Sequence, residues 1–168
     1  MLKRIACATW LSVFSLASYA HQGHEHEAHQ HHHEQAQVAM VHDAYIREWL
    51  PAAPSTAAYF SIHNQGETPL KLVKASVEGV GRVEIHEHQH VNGMMKMQQV
   101  EDVTIAAGKT VTFQPGGYHL MLFSPSQPIT KGQALKLTLY FADGNRIYTV
   151  APVTSVMESA SNAEHHHH

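Results

Sequence analysis

Cysteine is nearly absent from this chain, in which Cys7 is the only one among 168 residues. It lies at the start of an N-terminal apolar run, and the rest of the chain therefore has neither disulfide bonds nor thiolate ligands for metals. The mixed His and Cys centre of blue copper electron carriers is excluded with them. Cys7 begins the apolar run instead of following it, which argues against a lipid attachment site.

The chain also lacks an excess of positive charge and any apolar run long enough to cross a membrane. Lys and Arg total 11 against 14 Asp and Glu, so nothing favours binding to the phosphates of nucleic acids. A basic start, an apolar run over 5–16 and a small-x-small sequence ending at Ala20 are typical of a secretory signal. We predict a signal peptide over 1–20 and a periplasmic mature protein without a membrane span.

Helical patterning is missing as well. No stretch combines a 3.6-residue period with capping residues, whereas β-branched and aromatic residues recur with period two between turn residues. The predicted strands are 38–47, 56–64, 70–78, 82–91, 94–105, 110–114, 118–124, 134–142 and 146–156. Many short strands without helices imply one all-β domain over 38–157, an antiparallel β-sandwich or small barrel.

Histidine is what the chain has in excess, with 17 residues. Seven of them lie in 21–37, a segment without large apolar residues that we predict to be a disordered tail. If cleavage leaves His21 first, its amine and imidazole can chelate Cu(II) or Zn(II), with His24 close by. Residues 158–168, which end in His165–His168, are predicted to be a second disordered tail that contributes nothing to the predicted fold.

Histidine and methionine meet on one predicted hairpin. Asn92-Gly93 favours a two-residue turn that pairs His90 with Met95 and His88 with Met97. Because side chains two residues apart share a face of a strand, His86 joins this set.

A second strand carries the same residue types. In residues 118–122, His119 and Met121 face one way if Leu120 and Leu122 face the core. Neutral imidazole and thioether ligands suit Cu(I) and are poor for Mg or Ca, whereas zinc stays possible on the histidines alone. The sequence therefore predicts a Cu(I) site.

Several residues of the same types have a plainer interpretation. Met94 and Met95 are expected to pack beside the turn. The aromatic residues of the first two strands and the loop between them are expected to be core or site wall: Tyr45, Trp49, Tyr59 and Phe60.

Three segments resemble the periplasmic copper chaperones of the PCu(A)C type. They are Val83-Glu84-Ile85-His86-Glu87, Gly93-Met94-Met95-Lys96-Met97 and Pro115-Gly116-Gly117-Tyr118-His119-Leu120-Met121-Leu122. The family pattern of His, ten residues, Met, twenty-one residues and His-x-Met falls on His86, Met97, His119 and Met121 with both spacings met.

The resemblance implies a cupredoxin-like β-sandwich that binds Cu(I) through those four residues and passes it toward respiratory oxidase assembly. The acceptor would be a thiolate-containing oxidase subunit or another copper chaperone. The family often has Met at position 88, where this chain has His88, a candidate auxiliary ligand. We expect the site near the surface, because a carrier releases its cargo by ligand exchange.

Two other functions stay open. A copper or zinc sequestration protein would bind metal mainly through 21–37, and a copper redox enzyme would need an open coordination position. No catalytic triad, phosphate loop or paired acidic site stands out, so the leading prediction is a carrier and not an enzyme.

Overall fold

The computed structural model describes residues 39–91 and 93–155. The predicted signal peptide and both predicted tails, including His21 and His24, lie outside the described residues. Those described belong to one compact unit, 35–168.

Within these ranges every regular element is a β-strand, which confirms the all-β prediction. The strands in chain order are β1 (Ala39–Arg47), β2 (Thr56–Asn64), β3 (Leu70–Val77), β4 (Val80–Val91), β5 (Met94–Gln99), β6 (Val103–Ile105), β7 (Thr110–Phe113), β8 (Tyr118–Pro125), β9 (Ala134–Phe141) and β10 (Arg146–Thr154). In the part of the chain that is described, no helix is long and apolar enough to cross a bilayer.

The strands hydrogen-bond in the order β5-β4-β8-β7-β2-β1-β10-β9-β3-β6, with a further pairing of β8 with β2. Most neighbours are antiparallel, as predicted, but β1 runs parallel to β10 and β7 runs parallel to β8. The first and last described strands are not joined by a hairpin, so no turn sequence indicates their relative direction.

The core lies between the two halves of this sheet. Ile62 and Leu122 from one half and Leu72 and Leu139 from the other are fully buried in a single apolar cluster. One continuous sheet can bury such residues together only if its halves face each other, which is the predicted sandwich.

The predicted strand 94–105 is wrong, because the structure divides it into β5 and β6. β5 pairs with β4, whereas β6 pairs with β3, so the two lie at opposite ends of the strand order. Val100 still donates its backbone N–H to the Ile85 carbonyl at 2.9 Å, and the chain then crosses through Glu101 and Asp102. Alternation resumes in β6 on the same period, which hid the crossing from the sequence pattern.

Candidate metal centre

The hairpin of β4 and β5 forms one edge of the sheet. Gly93 adopts a positive φ of 78° at the turn, a conformation that glycine reaches without strain. The observed register pairs His90 with Met95 and His88 with Met97, which confirms the predicted pairing.

Strand β8 lies on the other side of β4 and aligns its own ligand residues with those of the hairpin. His119 is directly opposite His86, and Met121 is opposite Glu84. Leu120, between them, is fully buried in the core. Alternation along β8 therefore directs His119 and Met121 to the other face, as predicted.

A cavity of about 320 Å³ opens on this face. Among its lining residues are His88, Met97, His119 and Met121. Tyr59, predicted to be core or site wall, lines it too, with its ring centroid 6.4 Å from that of His119. Two histidines and two methionines from three strands thus share one cavity.

His119 is the most buried of these side chains, with 3% of its surface exposed. Its Nδ1 donates to the Gly117 carbonyl at 3.0 Å, and its Nε2 lies 3.2 Å from the Met97 sulfur. Burial lowers the pKa of His119 below its ordinary value of 6.5, and the nearby His88 and His86 lower it further, while the Gly117 hydrogen bond acts in the opposite direction. The ring is therefore held in its neutral form, which is the form that ligates metals.

His86 lies beside His119, with 5.9 Å between the ring centroids, but it does not line the cavity. Its Nε2 is 2.9 Å from a carboxylate oxygen of Glu84. That hydrogen bond, and after it the positive charge of Arg82, lowers the pKa of Glu84 and keeps this carboxyl ionised, against the opposing effect of burial. The Nδ1 atom of His86 is buried and has no hydrogen-bond partner among the described residues.

His88, predicted as an auxiliary ligand, lies against His119 with ring centroids 4.9 Å apart and nearly parallel planes. Its backbone N–H donates to the Gly117 carbonyl at 3.2 Å. Its Nδ1, like that of His86, is buried without a hydrogen-bond partner in the described part of the chain. The structure therefore brings His88 into the cavity lining, whereas His86 lies outside the lining, beside the His119 ring.

The sequence interpretation missed Glu84 as the partner of His86. A signal was present, because residues two apart on a strand share a face. Only the pairing of β4 with β8 shows that Glu84 borders the same cluster.

The prediction that Met94 and Met95 are packing residues is wrong, because the structure leaves them 70% and 52% exposed. Both lie at the tip of the hairpin, beyond the reach of the core. Met97, two residues further along β5, is 46% exposed even though its sulfur contacts His119. The cluster is thus open to solvent on the hairpin side.

Among the described residues, nitrogen and oxygen side chains do not make up a metal site by themselves. Within 39–91 and 93–155, no three His, Cys, Asp or Glu side chains are placed to hold one ion together. The groups that do converge include two thioethers.

The chain is similar in sequence to a known protein family and to a lipoprotein of Leifsonia xyli. A family model described as "Putative lipoprotein LpqE-like" matches residues 39–153. The "Putative lipoprotein Lxx21020" of Leifsonia xyli subsp. xyli is 34% identical over 110 residues, which cover 64% of this chain and 66% of that protein. The chain thus spans slightly less than two thirds of this relative's length.

Two solved structures share the fold. The solution structure of CuI-DR1885 from Deinococcus radiodurans is 30% identical, covers 71% of this chain and 79% of that one, and superposes with a TM-score of 0.58. The apo PCuAC domain from PmoF1 is 24% identical, with coverage of 70% and 94% and a TM-score of 0.59, a likeness that concerns the fold.

Proposed function

Because the chain belongs to the LpqE-like family and has the fold of PCuAC domains, we propose that it is an extracytoplasmic carrier of Cu(I). Family and fold together confirm the resemblance to PCu(A)C-type copper chaperones. The cargo is proposed from the Cu(I) that the Deinococcus radiodurans structure names, and from the soft ligands of this chain. The proposed ligands are His86, Met97, His119 and Met121.

One contact carries the assignment. The Gly117 carbonyl can only accept, so His119 Nδ1 holds the proton and Nε2 of the neutral ring is left with a lone pair. That lone pair faces the Met97 sulfur at 3.2 Å, and a thioether has no proton to donate. Two electron-pair donors that face each other at this distance are arranged for a cation that both can bind.

His86 is oriented by a similar hydrogen bond to a different partner. The ionised Glu84 can only accept, so His86 Nε2 is the donor, and in the neutral ring the lone pair is on the buried Nδ1. Metal-binding histidines commonly donate their second ring N–H to a carboxylate or a backbone carbonyl, which orients the ring. His86 and His119 use one partner of each kind.

The ligand types favour Cu(I) over zinc. Thioether sulfur is a soft ligand that selects Cu(I), and imidazole accepts it as well. Structural zinc sites are completed by Cys, His or carboxylates, and no such trio converges in the described residues. Both methionines that line the cavity would therefore serve copper and add little for zinc.

The same ligands would also allow Cu(I) to be released to an acceptor. Met97 is about half exposed, so an incoming ligand can approach the ion before the donor ligands leave it. Thiolates are charged, soft ligands and should hold Cu(I) more firmly than neutral His and Met do. We propose a thiolate-containing acceptor, either an oxidase subunit at its copper-site assembly or another copper chaperone, and no catalytic turnover.

The ligand assignment is tested with a Met97→Leu, Met121→Leu double variant. Leucine conserves volume, so the fold should persist while both thioethers are removed. We expect Cu(I) affinity, measured by competition with a chromogenic Cu(I) chelator, to fall far more than Zn(II) affinity.

Met40→Leu is the matched control, since Met40 is a similarly exposed methionine on β1, outside the cavity. Unchanged Cu(I) affinity in the double variant would refute the site.

Carrier function is tested by transfer. Cu(I)-loaded protein is mixed with a reduced, metal-free dithiol acceptor, the two are separated, and copper is assayed in each. Copper should move to the acceptor. Copper retained by this chain at equilibrium would refute delivery and favour sequestration.

Sequestration is the second candidate, since residues 21–37 hold seven histidines. It predicts that deleting 21–37 removes most Cu(II) and Zn(II) binding at about pH 7, and that this binding is lost toward about pH 5 as imidazoles protonate. If the deletion leaves Cu(II) stoichiometry unaltered, the tail has no such function.

Export is tested on protein recovered from outside the cytoplasm. Intact mass should show that the chain starts at His21, which would also supply the chelating amine. A start at any other residue would rule out chelation by the amine and the imidazole of His21 together.

A further inference from the structure

The tip of the β4–β5 hairpin repeats the His and Met pairing of the cavity one step further out. His90 is directly opposite Met95, just as His88 is opposite Met97. Each pair is two residues from the next, or roughly 6.6 Å along the strands, and lies on the same face. The face that presents His88 and Met97 to the cavity therefore carries a second imidazole and thioether pair nearer the hairpin tip.

Cross-strand pairs of a histidine with a methionine are confined to that face. The opposite face of the hairpin carries the pairs Glu87 with Gln98 and Gln89 with Lys96, followed by Val91 with Met94. Gln89 and Glu87 hydrogen-bond to each other at 2.6 Å, which closes that side with polar contacts. No other cross-strand pair of the hairpin matches a histidine with a methionine.

Packing does not explain Met95. The Met95 side chain is 52% exposed. Its neighbours at the hairpin tip are exposed as well, Val91 at 42% and Met94 at 70%. A large apolar side chain left in water at an extended hairpin gains little from burial. Met95 differs from the exposed Met94 in having a histidine, His90, directly opposite it. Directly opposed residues have Cβ atoms about 4.5–5.5 Å apart, within reach of one shared ion.

We infer that His90 and Met95 form a second, outer Cu(I) site, from which copper passes along the hairpin to His88 and Met97 and so into the cavity. The outer pair offers one nitrogen and one sulfur, fewer ligands than the cavity, so it binds more weakly. This inference extends the proposed function, because the direction of movement presupposes a Cu(I) site in the cavity.

The test uses the full chain with methionine labelled at its ¹³C ε-methyl group, titrated with Cu(I) under reducing, anaerobic conditions. Methyl resonances report thioether coordination and are unaffected by copper on distant histidines. We expect Met97 and Met121 to respond first and Met95 to respond at higher Cu(I), while Met94, its more exposed neighbour on the other face, does not.

A His90→Gln variant separates a paired site from isolated thioether binding. It should abolish the Met95 response and leave those of Met97 and Met121. The inference is overturned if Met95 stays unchanged at Cu(I) saturation, if Met94 and Met95 respond together, or if the Met95 response survives His90→Gln. Silence of Met97 and Met121 would instead refute the proposed ligand set, a different outcome of the same spectra.

Discussion

The two halves of the sheet bury the same kind of side chain and differ in what they present outward. Strands β5, β4 and β8 present histidine, methionine and Glu84. Strands β10, β9 and β3 present lysine, tyrosine and hydroxyl groups, with the Lys136 ammonium 4.5 Å from the centroid of the Tyr148 ring and Lys74 at 5.5 Å from Tyr140. One half therefore carries the candidate site, while the described strands of the other half carry contacts between surface side chains.

Along each strand, the inward-facing residues determine the fold and the outward-facing residues determine what the surface can bind. Inward-facing residues are apolar in both halves of the sheet and meet in one core. They therefore specify the sandwich but do not distinguish one half from the other. Outward positions contribute little to the core, and one half uses them to gather soft ligands. Substitutions can therefore affect stability and copper binding separately, depending on which face of a strand they alter.

Core substitutions should have the largest effect on stability, and it should be equal in the two halves. Leu120→Ala in β8 and Leu139→Ala in β9 each remove a fully buried side chain from the common cluster. We expect each to lower the free energy of unfolding by about 2–5 kcal/mol, measured by urea denaturation of the copper-free protein. Val150→Ala, at an exposed position of β10, is the control and should change it by less than about 0.5 kcal/mol.

A small loss for Leu120→Ala beside a large loss for Leu139→Ala would break this symmetry. It would mean that the half with the candidate site is held together by something other than the shared core. Alternation in β8 would then not separate structure from binding.

Local patterns predicted the hairpin well. Asn92-Gly93 specifies a short turn, and strict alternation then sets the register, so the pairs His88 with Met97 and His90 with Met95 follow from residues close in sequence. The division of β8 into core-facing Leu120 and site-facing His119 followed from the same period.

Non-local pairing could not be predicted from residue patterns alone. Nothing within β4 or β8 indicates that His86 and His119 are opposite each other, because a long stretch of chain separates them. The separation of β5 from β6 was missed for the related reason that alternation continues on both sides of the crossing. Exposure of Met94 and Met95 was missed because composition does not show how far a hairpin extends beyond the core.

The buried imidazole of His119 should make stability depend on pH in the half that carries the site. Well above pH 6.5, the ordinary pKa of histidine, the ring is neutral in both states. Below that value the unfolded chain takes up a proton that the folded ring, with its lowered pKa, does not, so the free energy of unfolding falls until the pH reaches the folded pKa. Urea unfolding of the copper-free protein between about pH 7.5 and about pH 5 measures this decline.

His119→Asn is the matched variant for that measurement. Its amide can still donate to the Gly117 carbonyl, but it has no proton to gain in this range. The variant should lose less stability than the wild type as pH falls. If the free energy of unfolding falls equally in the variant and the wild type, the pH dependence belongs to other groups, and protonation of His119 does not destabilise the fold.

The smallest expected effect lies in the other half, at Lys136 over the Tyr148 ring. Lys136→Met keeps most of the aliphatic stem and removes the charge, so the free energy of unfolding should fall by about 0.5–1 kcal/mol, the size of an exposed cation–π contact. Lys74→Met should cost less, because its ammonium is 5.5 Å from the Tyr140 centroid instead of 4.5 Å. Cu(I) affinity should be unchanged in both variants, since neither lysine lies on the face with the candidate ligands. A change in Cu(I) affinity without a change in stability would show that the halves communicate, and the separation between fold and binding drawn above would no longer hold.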